Sequence, residues 1–221
     1  MISKIGYLSA QDLFRDLSEA EMDLIGRMTT MTTCQQGKVF FRPEDKSEVL
    51  FLLKKGRVQL YRLSPGGKKI VTCTIEAGSF FGEMALIGQG MHRTFAEAIE
   101  DCVLCVMSRA DVERYLLRHP KVVMRLAEAL GKRLTAAETQ LEELAFKSVP
   151  ARLASLLLRL AANNGRSVEG YTHQDLAEAI GTYRETVTQT LNEFKSQGLV
   201  EIERKAVRLL DEAQLRAIAE Q

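Results

Sequence analysis

The 221-residue chain contains no apolar run of 18 residues, so no membrane-crossing helix is expected. Its first residues, MISKIGYLSAQDLF, lack the apolar core and cleavage site of a secretory leader, which points to the cytoplasm. The four cysteines, at 34, 73, 102 and 105, are unclustered, as suits reduced thiols in a cytosolic protein. Cys102 and Cys105 have C-x-x-C spacing, but they lie in CVLCVM, an apolar and β-branched run that reads as a strand. Residues i and i+3 of a strand point to opposite faces, so the pair is poorly placed to chelate and no metal site is expected. His92, His119 and His173 are isolated and suit surface or capping roles. No nucleophile–base constellation, phosphate loop or metal-ligand cluster is present, so neither an enzyme nor a tightly bound cofactor is expected. Charge of one sign is also missing, with 30 Lys and Arg against 29 Asp and Glu. Residues 150–221 hold nine basic and ten acidic side chains. Any surface for a polyanion must therefore be a local patch.

What is present is ordinary globular material, 46% hydrophobic and 27% charged. The length suits one large domain or two modest ones. LFRDLSEAEMDLIGRM has helical periodicity and a capping signal, Ser18-x-x-Glu21. From Val39 to Met107 the pattern becomes short strands, KVFFRP, EVLFLLKKGRVQLYRL, KKIVTCTI, TFAEAI and CVLCVM, separated by turn signals. Such spacing suggests an antiparallel barrel or jelly roll. Helix returns at SRADVERYLLRH, capped by Ser108-x-x-Asp111, and a longer helix follows Pro120. Its apolar positions Val123, Leu126, Leu130, Leu134, Ala137, Leu141 and Leu144 are spaced 3, 4, 4, 3, 4, 3. That stripe approximates a coiled-coil seam. The last six are taken as a dimer interface, because so long a stripe is hard to bury on one small domain. Packing on the chain's own barrel is the other reading.

Pro150 marks a boundary, with Ser148 capping the next helix. The expected domains are 1–119, 120–147 and 148–221. After a loop at 165–171 come two short helices, THQDLAEAI and TYRETVTQTLNEFKSQ, joined through Gly181. Thr172-x-x-Asp175 caps the first and Thr182-x-x-Glu185 the second. Small Ala177, the Gly181 turn and apolar Leu176, Ile180, Val187 and Leu191 fit a helix-turn-helix, whose second helix enters a DNA major groove N-terminus first. Tyr183, Arg184, Glu185, Thr188 and Gln189 are its polar positions near that end. Arg can bind guanine bidentately, Glu can accept from cytosine, and Gln can pair with adenine. Thr172, His173 and Gln174 join the candidate DNA contacts. LVEIE and AVRLL pair as a hairpin across Arg204-Lys205, a wing that would touch phosphates.

One stretch remains, GSFFGEMALIGQGMHRT at 78–94, which sets Glu83 and Arg93 ten residues apart in apolar surroundings. Read from the residues alone, it is either a salt bridge or the two ends of a shared polar ligand.

With THQDLAEAIGTYRETV and the long helix ending LEELAF, this stretch resembles the catabolite activator (cyclic AMP receptor) and fumarate-nitrate regulator superfamily of bacterial transcription factors. The resemblance spans Leu13 to Leu210. It implies an α+β fold: an N-terminal cyclic-nucleotide-binding β-roll of jelly-roll type, a long dimerisation helix and a C-terminal winged helix-turn-helix. It implies a homodimer on a palindromic site in double-stranded DNA, contact with RNA polymerase and no membrane. By the same resemblance Gly82 lets backbone N–H groups approach a cyclic nucleotide, Glu83 accepts from the ribose hydroxyl, Arg93 pairs with the cyclic phosphate and Thr94 adds a contact. Met84 and Arg133 complete the expected ligand contacts. Cyclic AMP is the first effector expected and cyclic GMP the second.

Three features depart from the family pattern. Ala137 and Glu138 stand where the cyclic AMP receptor has a Thr-Ser pair that contacts adenine and couples the subunits. Gln189 replaces a base-reading arginine. The N-terminal cysteine cluster of the oxygen-sensing branch is missing, which argues against an iron–sulfur cluster. The alternative function is the same DNA-binding regulator acting without nucleotide, with Glu83–Arg93 a structural ion pair.

Overall fold

The computed structural model describes residues 18–43, 49–82, 94–114, 119–162, 165–203 and 206–221. They pack as two compact units. The first holds the described residues up to Arg62 and Thr72–Thr135, and the second holds Leu63–Val71 and the residues from Ala136 onward.

The first unit opens with α1 (Glu19–Met28), whose start carries the capping box expected from Ser18-x-x-Glu21. The Ser18 backbone N–H donates to Glu21 Oε2 at 2.7 Å, and the Glu21 N–H donates back to Ser18 Oγ. The Ser18 hydroxyl, which also donates to Glu21 Oε2 at 2.7 Å, and then the Ser18 N–H hold the Glu21 carboxyl below its ordinary range. Eight strands follow: β1 (Thr30–Cys34), β2 (Val39–Phe41), β3 (Val49–Lys55), β4 (Val58–Leu63), β5 (Lys69–Ile75), β6 (Phe80–Gly82), β7 (Phe95–Ala98) and β8 (Cys102–Ser108). They form two four-stranded sheets, ordered β1-β8-β3-β6 and β2-β7-β4-β5.

The alternation of side chains along a strand divides the apolar residues of β8 between two cores. Cys102 and Leu104 join Phe41, Leu53, Val58 and Phe81 in one. Cys105 and Met107 join Ile25 of α1, Leu50, Leu52 and Val122 in the other. Cys102 and Cys105 thus lie in different cores. Phe81 is fully buried, stacked on Phe51 at 4.9 Å and edge-on to Phe40 at 5.1 Å.

Two of these strands, β1 and β6, are absent from the sequence reading. TMTTC in β1 has no alternating apolar face, and four of its five residues are exposed. Its extended form comes from pairing with β8 over the whole of its length. The three residues of β6 are too few to show a period, and their pairing with β3 defines them.

α2 (Arg109–Arg114) begins after Ser108, whose hydroxyl oxygen accepts from the Asp111 N–H at 3.2 Å. α3 (Pro120–Phe146) is 27 residues long, about 40 Å at the rise of an α-helix, with Pro in its first turn, where no partner for its nitrogen is needed. Along the predicted seam burial is not uniform. Leu126 is 3% exposed and Leu130 packs beside it in the first unit's core. Leu134 and Leu141 are 61% and 68% exposed, and Ala137 is exposed with them. Leu144 is half-buried, with a methyl facing the Gly181 turn inside the second unit. The stripe therefore serves the chain's own packing at both ends and is open in its middle.

In the second unit α4 (Val149–Ala161) is capped by Ser148, as expected. It supplies Leu153, Ala154 and Leu157 to a core shared with α5 (His173–Ile180) and α6 (Arg184–Ser196). The predicted loop at 165–171 contains a strand, β9 (Ser167–Glu169), which pairs with β11 (Ala206–Leu209). β10 (Val200–Glu203) pairs with β11 as the predicted hairpin, Val200 opposite Leu209. α7 (Glu212–Ala219), absent from the sequence reading, is capped by Asp211 and buries Leu215 and Ala219 one turn apart.

Candidate DNA-binding and ligand-binding sites

The two helices of the C-terminal motif are set by their ends. The Thr172 N–H and hydroxyl donate to Asp175 Oδ2 at 2.7 and 2.6 Å, and the Asp175 N–H donates to Thr172 Oγ1 at 3.1 Å. This satisfies helix-end donors that have no partner within α5. At the other end Gly181 takes φ 69°, a left-handed geometry that glycine enters without a Cβ penalty. The next N–H, of Thr182, donates back to Ala177 O at 2.9 Å, which keeps Thr182 in the turn. α6 consequently starts one residue later than predicted. Its N-cap is Tyr183, which makes no side-chain cap bond. α6 ends in a Schellman motif: Gly198 (φ 73°) donates to Lys195 O and Leu199 donates to Phe194 O.

Val187, Thr190, Leu191 and Phe194 face the core, so the opposite side of α6 is the free one. Arg184, Glu185, Thr188 and Gln189 share a groove on that side with Asn192 and Ser196. Asn192 and Ser196 are additions to the sequence-based set. Their spacing of three and four residues from Gln189 and Asn192 is the helical period that would have pointed to them. Tyr183 is 62% exposed.

Several of these side chains are already engaged. The Thr188 hydroxyl donates to Arg184 O at 2.9 Å. Its single proton is then spent, so the 2.8 Å contact with His173 Nδ1 requires His173 to donate from that nitrogen. This bond ties the head of α5 to α6. Gln189 donates to Glu193 at 3.0 Å and Gln174 to Glu178 at 2.8 Å. Arg204 and Lys205 lie outside the described residues, between β10 and β11.

In the first unit, Gly82, Thr94 and Arg133 of the predicted ligand contacts are described, whereas Glu83, Met84 and Arg93 lie outside the described residues. Gly82 ends β6 opposite Leu50, at φ 140°. Thr94 is 7% exposed and immediately precedes β7. Arg133 projects from α3 onto β6. Its Nη2 donates to Ser79 Oγ at 3.0 Å and also to Phe80 O, and its guanidinium lies 4.6 Å from the centre of the Phe80 ring. Among the described residues its Nη1 is buried and has no partner. Burial disfavours the charged form and lowers the Arg133 pKa from its ordinary value.

Residues 31–119 match the cyclic nucleotide-binding domain family, and residues 151–218 match the Crp-like helix-turn-helix domain. The chain is 32% identical over 212 residues to the cyclic AMP receptor protein of Thermus thermophilus, covering 96% of this chain and 98% of that protein. The chain belongs to the CRP/FNR family. A second relative in the family, the global nitrogen regulator of Synechococcus elongatus, is 30% identical over 204 residues, covering 88% of this chain and 90% of the relative. A CRP/FNR-family regulator from Eubacterium rectale shares the fold, with a TM-score of 0.77 at 23% identity over 95% of this chain and 98% of its own. As a CRP/FNR member the protein is a DNA-binding transcription regulator with a cyclic nucleotide-binding domain, not an enzyme. Among the described residues no helix is long and apolar enough to cross a membrane.

Proposed function

We propose that the protein works as a homodimer on a palindromic DNA site and that a cyclic nucleotide in the N-terminal domain controls its affinity. Two copies of α6 would read successive major grooves, about 34 Å apart. Arg184, Glu185, Gln189 and Tyr183 would face the bases and Arg204 and Lys205 the phosphates. Thr172, His173 and Gln174 would sit at the phosphate backbone, where α5 presents its N-terminus. The Thr188 hydroxyl is committed to Arg184 O, so only its methyl is free for a thymine. The dimer presents this surface to DNA and a further face to RNA polymerase.

The observation that carries the control by ligand is the buried Nη1 of Arg133, which has no partner among the described residues. A buried guanidinium nitrogen without an acceptor is costly, and an anion restores the bond. Gly82, Glu83, Met84, Arg93 and Thr94 would bind the rest of the nucleotide, cyclic AMP before cyclic GMP, as the name of the Thermus relative suggests. A second reading, DNA binding without nucleotide, is favoured by Ala137 and Glu138, which offer no hydroxyl pair to a base.

Titration of cyclic AMP and cyclic GMP into the full chain separates the two. Micromolar binding of one of them, weakened about tenfold or more in Arg133→Gln by loss of a charged hydrogen bond, is expected. Failure of both below the millimolar range, with unchanged DNA affinity, would favour the second reading. For the DNA contact, Arg184→Ala is expected to lose discrimination at one base pair of the half-site by roughly 5–150-fold, the worth of a bidentate Arg–guanine contact. Binding-site selection from random duplexes measures it. An unchanged consensus would remove Arg184 from the reading set.

A further inference from the structure

We infer that Cys34 and Cys102 form a reversible dithiol–disulfide pair across β1 and β8, oxidised by hydrogen peroxide. The two residues are direct partners in the antiparallel ladder, at the last position of β1 and the first of β8. Directly opposed residues in such a ladder have Cα atoms roughly 4.5 or 5.5 Å apart, depending on whether the pair is hydrogen-bonded. Both values fall inside the range a disulfide spans, about 4.4–6.8 Å. The side chains also share a face, since Cys34 packs against the core that contains Cys102. Neither position needs the backbone to move toward the other.

The surroundings suit a bridge at this point. Gly56 has no side chain to fill the space beside Cys102; a Cβ there would stand 2.7 Å from the Cys102 sulfur. Cys102 is 1% exposed, and its thiol lies close to Glu100 O and Arg57 O. Burial, followed by the neighbouring Cys34 thiol, pushes the Cys102 thiol up to about 11. It is therefore a poor first nucleophile. Cys34 is only half-buried and is the thiol an oxidant meets.

The chemistry balances in two steps. The Cys34 thiolate takes an oxygen from hydrogen peroxide, whose O–O bond breaks, leaving a sulfenic acid and hydroxide. The Cys102 sulfur then attacks the Cys34 sulfur, its proton leaves with the departing hydroxyl as water, and the S–S bond forms. The two sulfurs together give up two electrons, and peroxide receives them. Cys105 lies in the other core and Cys73 sits on β5, so neither is opposed to Cys34 in the ladder.

The test uses the full-length chain in native buffer with hydrogen peroxide, followed by denaturing thiol titration and peptide mass analysis. The thiol count is expected to fall from the four cysteines of the sequence to two. One peptide should join Cys34 to Cys102, and dithiothreitol should restore all four thiols. Cys34→Ser, a change at a half-buried position, should abolish the cross-link, and Cys73→Ser should leave it intact. No such peptide from the native protein, a cross-link that forms only in urea, or Cys34 joined to Cys73 or to a second chain would overturn the inference.

Discussion

Gly82→Ala is expected to destabilise the N-terminal unit by about 3 kcal/mol or more, a sizeable share of the 5–15 kcal/mol typical of a folded domain. Two costs act together. At φ 140° a side chain is strained whatever the space around it. Backbone held in so rare a region costs about 1–3 kcal/mol. The added Cβ would also stand 2.0 Å from the carbonyl oxygen of Val49, which is backbone and cannot rotate away. Relief requires β3 and β6 to separate, and overpacking of that kind costs about 1–3 kcal/mol. Urea denaturation followed by circular dichroism measures the change. Gly37→Ala, in the same unit, is the control: its φ is 84° but its Cβ would meet nothing within 4 Å, so it reports a positive-φ cost without a collision. Equal losses in the two variants would show that the approach to Val49 carries no cost. The result bears on how Gly82 is understood. The resemblance assigns this glycine to approach of a nucleotide, whereas its packing already demands glycine with no ligand bound.

In the proposed homodimer of the 24.7 kDa chain, Leu134→Glu with Leu141→Glu is expected to separate the two copies into monomers. The two leucines are seven residues apart on α3 and more than half exposed. Two large apolar side chains on one face of a long helix leave apolar surface in water unless a second copy covers it. Glutamates there would face glutamates across a two-fold axis, so the pair repels and desolvates. In the single chain both positions are exposed, so the fold should lose little, within about 0.5 kcal/mol per site. Sedimentation reads the association state directly. Affinity for a palindromic duplex should fall at least about a hundredfold, because the second half-site is no longer bound intramolecularly. A variant that still sediments as a dimer would move the interface away from the middle of α3.

The features legible in the sequence were mainly those closed within a few residues. Ser18-x-x-Glu21, Thr172-x-x-Asp175 and Ser148 each form the expected cap. Thr182-x-x-Glu185 has the same letters and forms none. The difference lies one residue upstream, where the left-handed Gly181 directs the Thr182 N–H back to Ala177. Strands were legible where apolar and β-branched residues run together, as in β3 and β8. They were not legible in β1, where a polar run is extended only because a partner is. The side of α6 left free of the core was legible because helical period is a local property. The expected ligand contacts came from a motif, whereas the burial of Arg133 against Phe80 comes from packing between distant elements.

By itself the sequence determined α1 to α6 and most of their caps, the strand-rich first half, the helix-turn-helix and the hairpin after it. These rest on hydrogen bonds and side-chain periods spanning three to seven residues, which composition and spacing encode directly. Only the tertiary structure decided that Leu126 is core while Leu134, on the same stripe, is open. It alone set Gly82 against Val49 and Cys34 opposite Cys102. Those contacts join residues far apart in the chain through strand register and helix docking. One residue of slip in β1 would turn Cys34 to the other face of the sheet, and no pattern local to either cysteine records which register is taken.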